Sequence, residues 1–127
     1  MSRYGSRIAA LERHAERDRR AVEAGRAPTD PDDATTYLRA GAGQAIWLYV
    51  EARTGGRLVP FARAELEALE AAMNRWLECY ARCYGVDLKA AFTVREAAEL
   101  LLETRNIVDT AALLTCVPDR PHSHANG

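Results

Sequence analysis

The sequence predicts a mainly α domain of α+β type, with about four to five helices and one β-hairpin. Three observations lead there. Residues 63–84, RAELEALEAAMNRWLECYARCY, set Leu66, Leu69, Met73, Trp76, Leu77, Tyr80 and Tyr84 on one side of a helical wheel. Residues 93–96, TVRE, form a capping box just ahead of an apolar run. Residues 46–53, IWLYVEAR, and 57–61, RLVPF, are two apolar runs separated by Thr54-Gly55-Gly56, the signature of a hairpin.

Taken in order, the first element is a helix over residues 5–25, capped by Ser6. Its apolar seam of Ile8, Leu11, Ala15 and Val22 is narrow and interrupted by Asp18, which suits a helix on the outside of the fold. Arg13, Arg17 and Arg20 share its outer face, and Glu16 stands one turn before Arg20, the spacing of a helical ion pair. Gly25 closes the helix, and Pro28 and Pro31 keep residues 25–33 in turns. Asp32 or Asp33 then caps a short helix over residues 34–40 that ends at Gly41 or Gly43.

The hairpin follows. Its rival is one helix through residues 37–53, which carries Gly41 and Gly43 in its interior at about 1 kcal/mol each, so the hairpin is the preferred reading. Pro60 confines the second strand to an edge. A hairpin alone is barely stable, so this one lies on the stripe of residues 66–84, with either Ile46, Leu48 and Val50 or Trp47 and Tyr49 facing the core. Glu51 points to solvent.

Gly85 stops the long helix, and residues 86–92 link it to the next. Val94, Ala97, Ala98, Leu101 and Leu102 make a wide apolar face opposite Glu96, Glu99 and Glu103. A last helix over residues 107–116 stops before Pro118. The globular domain is expected to span residues 1–117, with residues 118–127 a disordered tail.

Composition bounds the function more than it names it. A chain of 127 residues with 48% hydrophobic and 28% charged residues builds one ordinary domain with its own core. No run of about 18 apolar residues is present to span a membrane, and the amino terminus has no apolar segment of a secretory signal. Three cysteines, an odd count without framework spacing, indicate a reducing compartment, so the expected location is cytoplasmic. The net charge of −1 divides into +3 over residues 1–26 and −4 over the rest. The arginine face Arg13, Arg17, Arg20 is therefore the one electrostatic docking surface for an acidic partner, and it is too weakly charged to hold nucleic acid strongly by itself.

Three constellations bear on chemistry. Residues 93–114 resemble a helix-turn-helix, with Leu102-Glu103-Thr104 as the turn and residues 105–114 as the recognition helix. Leu102 stands where the pattern wants glycine, only Arg105 and Asn106 face bases or phosphates, and Asp109 repels them. Cys79 and Cys83 lie one turn apart and, with Cys116, offer thiolates for zinc; His122 and His124 follow. Because Cys79 and Cys83 fall beside Ala68 and Ala72 on the wheel, buried structural thiols are the preferred reading. No nucleophile stands beside a base in any recognisable motif, and His14 is the only histidine outside the tail.

By elimination, the expectation is a small non-enzymatic interaction or regulatory module without a cofactor, with a protein partner or a second copy of itself as its target. The alternatives are a DNA-binding regulator acting through Arg105 and Asn106, and a zinc domain built on Cys79, Cys83 and Cys116. Trp47, Tyr49, Trp76 and the apolar last helix are the expected source of exposed apolar surface.

Overall fold

A computed structural model describes residues 4–27, 29–54 and 60–118 of the chain. Helix α4, Arg63–Arg82, is its axis and touches the elements on every side. Leu69, Met73, Trp76, Leu77 and Tyr80 of its stripe are almost wholly buried, while Leu66 and Tyr84 at the ends are partly so. Each full burial of such a side chain contributes roughly 1.5–3 kcal/mol.

Helix α1, Gly5–Glu23, lies along α4 in the most extensive helix contact of the fold. Its seam buries Ile8, Ala15 and Val22. Asp18 does not interrupt the packing: its carboxylate accepts the Trp76 indole N–H at 2.9 Å. Arg75 of α4 reaches Glu16 at 2.8 Å, and Arg19 reaches Glu78 at 3.0 Å, so polar contacts tie the two helices beside the seam. Ser6 does not cap α1. The N-cap position is Tyr4, and Ser6 lies inside the first turn. At the other end Gly25 takes φ +72°, and the Arg26 N–H closes back onto the Ala21 carbonyl at 2.8 Å. Gly85 does the same after α4, with the Val86 N–H on the Ala81 carbonyl at 3.0 Å.

The hairpin is not formed. After a 3₁₀ turn, Pro31–Asp33, helix α2, Ala34–Tyr37, passes through a π-helical segment, Leu38–Ala42, directly into helix α3, Gly43–Thr54. No strand occurs among the described residues, and residues 55–59, which carry the supposed turn and most of the second strand, lie outside them. The helix does not end at Gly41 or Gly43. Two physical reasons account for the difference. Ala45, Ile46, Leu48, Tyr49, Val50 and Ala52 are buried, and the exposed face of α3 has an apolar residue of its own, Trp47 between Gln44 and Glu51, so the hydrophobicity of the run carries no clear helical period. The glycines mark close approach rather than a break. A Cβ on Gly41 would stand 2.6 Å from the Trp76 ring, and one on Gly43 2.7 Å from the Leu38 carbonyl oxygen.

Residues 86–93 have no regular structure, yet α4 holds them by side chains. Glu78 accepts the Ala90 N–H at 2.8 Å, Asn74 pairs with Phe92, and Glu70 accepts the Val94 N–H at 2.9 Å. Helix α5, Val94–Thr104, then starts on the expected box: the Glu96 N–H donates to Thr93 Oγ1 at 3.1 Å, and the Thr93 N–H to Glu96 Oε1 at 3.0 Å. Helix α6, Ile107–Thr115, closes the fold, and the Tyr80 hydroxyl donates to the Val117 carbonyl just beyond it. Of the expected tail, residues 118–127, all but Pro118 lie outside the described residues. Among those described, no helix is long and apolar enough to cross a membrane.

Candidate docking groove

The π-helical segment turns the outer side of α3 toward α5 and α6. A π turn shifts the backbone register, and the Gln44 side-chain amide donates to the Arg39 carbonyl there at 3.1 Å. Gly43 leaves room for α6: a Cβ would come within 3.4 Å of Ile107 Cγ1. Between the three helices lies an open hollow of about 540 Å³, within the range of ligand sites. Trp47, Leu101, Leu102 and Ile107 supply its apolar surface, and Arg39 and Arg105 its charge. Trp47 is 56% exposed and Leu102 52%; Leu113 on α6 is the third large apolar side chain left open.

Arg105 is held there by an unusual backbone. It is the C-cap of α5 in the left-handed conformation, φ 57°, with its N–H on the Leu101 carbonyl at 2.7 Å. Glycine fits that conformation without strain, and an L side chain costs roughly 1–2 kcal/mol there. Neither Arg39 nor Arg105 has an ion-pair partner among the described residues. Gly43 and Gln44 complete the lining, whose polar groups beside the Trp47 indole are thus two guanidinium groups and one amide.

The other residues singled out in the sequence are placed as follows. Arg13, Arg17 and Arg20 are exposed on α1; Arg20 pairs with Glu16 at 2.8 Å, as their spacing indicates. Asn106 caps α6, its side-chain oxygen accepting the Val108 and Asp109 N–H groups at 2.8 and 3.0 Å. The break between α5 and α6 falls at Arg105-Asn106, directly after Leu102-Glu103-Thr104, which stay inside α5, so Arg105 and not Leu102 takes the positive φ. Cys79 and Cys83 are buried, and burial pushes their thiols up to about 12 and about 11. Cys116 is exposed at the end of α6, and no group of three metal-ligating side chains forms among the described residues. His122 and His124 lie outside those residues.

Glu51 is an exposed charge reached by the Tyr4 hydroxyl and Arg7, each at 3.3 Å. Of the aromatic residues expected to be exposed, Trp76 and Tyr49 are buried and Trp47 alone stays open. Another hollow, of about 330 Å³, was not legible in the sequence. His14, Asp18, Asp33, Tyr37 and Trp76 line it, with the His14 ring edge-on to Trp76 at 5.5 Å and its Nε2 3.7 Å from Asp18, beyond hydrogen-bond reach. The Tyr37 hydroxyl there is pushed up to about 12, chiefly by burial and then by the nearby thiols and carboxylates.

A family model described as "Domain of unknown function (DUF8055)" matches residues 2–119. The chain belongs to that family. No curated protein and no solved structure matches this DUF8055 chain. Membership therefore covers both hollows and assigns a role to neither. The groove residues that sequence reasoning missed were Arg39 and Gln44. Their only signal was the Gly-Ala-Gly of residues 41–43, read as a helix end and in fact a place of close helix packing.

Proposed function

We propose that this DUF8055 chain is a small, cytoplasmic, non-enzymatic interaction module that docks a protein partner in the groove between α3, α5 and α6. The observation that carries the reading is the sharing of one hollow by Trp47, the one exposed tryptophan, with Leu102 and two unpaired arginines. Exposed Trp beside Arg is the composition of interface hot spots, and an apolar patch of this kind costs solubility unless it is covered. The DNA reading has less support, because α6 contains no basic residue and Asn106 is engaged as its cap.

The test is site-specific photo-crosslinking in cells that express the chain. A benzoyl-phenylalanine at position 47 is expected to give a discrete protein adduct that the same group at position 13 does not give. Equal or absent adducts at the two positions overturn the proposal. An adduct with the mass of two copies identifies the partner as the chain itself.

A further inference from the structure

From the charge around the groove we infer that its occupant is an acidic amphipathic segment of a partner protein, with apolar side chains seated on Trp47 and Leu102 and carboxylates held by Arg39 and Arg105. This rests on the docking role of the groove proposed above and adds the chemistry of what docks.

The hollow offers two positive ends and no negative one. Arg39 leaves the chain at the π-helical segment before α3, and Arg105 at the break between α5 and α6, so the two guanidinium groups stand on different walls of an apolar floor. Both lack an ion-pair partner among the described residues, as do Arg13, Arg17, Arg26, Arg53 and Lys89, but these two are the ones that line the hollow holding Trp47. An arginine beside an apolar surface presents a planar fork of donors that matches a carboxylate, and partial desolvation by a docked chain strengthens that pair. The same bias continues past Leu102. A neighbouring hollow of about 220 Å³, also lined by Leu102, contains Arg53 and Arg95, and its single acid, Glu99, already faces Arg95 at 3.6 Å. Leu102 thus borders two cavities that share one sign of charge.

Two rival occupants fit less well. A nucleic acid also takes arginine and tryptophan, but the hollow supplies two cations, Arg39 and Arg105, on a chain of net charge −1. Two arginines match one or two carboxylates, whereas a run of phosphates needs more cations than that. The aliphatic floor of Leu101, Leu102 and Ile107 suits a peptide's apolar side chains better than stacked bases.

The test is selection of a displayed random peptide library against the full chain, followed by binding of the enriched synthetic peptides, read by isothermal titration calorimetry. The expected winners combine large apolar residues with Asp or Glu. Their affinity should fall by about thirtyfold on Trp47→Ala and by about tenfold on Arg39→Glu with Arg105→Glu, and recover in part when the peptide acids are changed to lysine. Circular dichroism of each variant, and the milder pair Arg39→Gln with Arg105→Gln, separate lost binding from lost folding. Winners that need Trp47 but are neutral or basic, or that ignore the arginine changes, overturn the acidic partner and leave the docking groove standing. Winners indifferent to Trp47, or none at all, overturn both. Tight, salt-sensitive binding of a single-stranded oligonucleotide in place of peptides also overturns the inference.

Discussion

Asn74 holds Phe92 as a neighbouring strand would. Its side-chain nitrogen donates to the Phe92 carbonyl and its side-chain oxygen accepts the Phe92 N–H, both at 3.0 Å. A helix thereby satisfies the backbone of an extended segment with side chains spaced one turn apart, Glu70, Asn74 and Glu78 serving residues 94, 92 and 90. That attachment sets where Thr93 begins α5, and so where Leu101 and Leu102 stand in the groove.

Replacing Asn74 with leucine therefore leaves two backbone groups of Phe92 without partners. The expected cost is about 2–3 kcal/mol, well above that of a change at an exposed helix position. Asn74→Asp retains the acceptor but not the donor and should cost less than leucine. Urea unfolding of the three proteins measures this; equal stability would show that the pairing contributes nothing.

At Gly41, alanine should destabilise the protein. In an open helix the change gains about 1 kcal/mol. Here the new methyl stands 2.6 Å from the buried Trp76 ring, and overpacking of this kind costs about 1–3 kcal/mol. The net loss should appear as a lower melting temperature, together with a change in Trp76 emission. A gain in stability would mean that the ring moves aside freely.

At Arg105, glycine should have opposite effects on stability and binding. It relieves the left-handed strain, with an expected gain of about 1 kcal/mol in urea unfolding. It also removes one of the two groove arginines, so the crosslinked adduct at position 47 should weaken. A stabilised variant with an undiminished adduct would separate the strained residue from docking.

High pH should unfold the protein over a defined window. Burial pushes Tyr37 and Tyr80 up to about 12 from an ordinary 10.0, and Cys79 and Cys83 to about 12 and about 11 from an ordinary 9.0. Each is neutral when protonated, so the folded state keeps protons that the unfolded chain releases. The contribution is fully present below about pH 9 and is lost as the pH rises to 12. Stability measured by denaturant at fixed ionic strength should decline across that range, and Cys79→Ala should make the decline shallower. A flat profile from pH 9 to 12 would contradict the burial of these groups.

Local signals account for what the sequence alone determined. The α4 stripe was legible because its period is unmixed, with bulky residues on one side and charges on the other. Thr93 with Glu96, and Gly25 and Gly85, could be read because caps and left-handed stops are made by neighbours in the chain. Residues 43–54 gave no such signal. Apolar side chains lie on their buried side and, at Trp47, on their exposed side as well, so their hydrophobicity has no clear helical period, and only packing against α4 and α5 decides that they are a helix. The glycines at 41 and 43 looked like breaks because the Trp76 ring and the Leu38 carbonyl that require them cannot be seen from the chain. That Glu70, Asn74 and Glu78 hold residues 90–94 is likewise decided only when that segment folds back onto α4. The groove, too, belongs to the tertiary structure alone: Arg39 and Trp47 come from the π-helical segment and α3, Leu102 and Arg105 from α5 and its cap, and the meeting of three helices is what brings two cations and an apolar floor to one place.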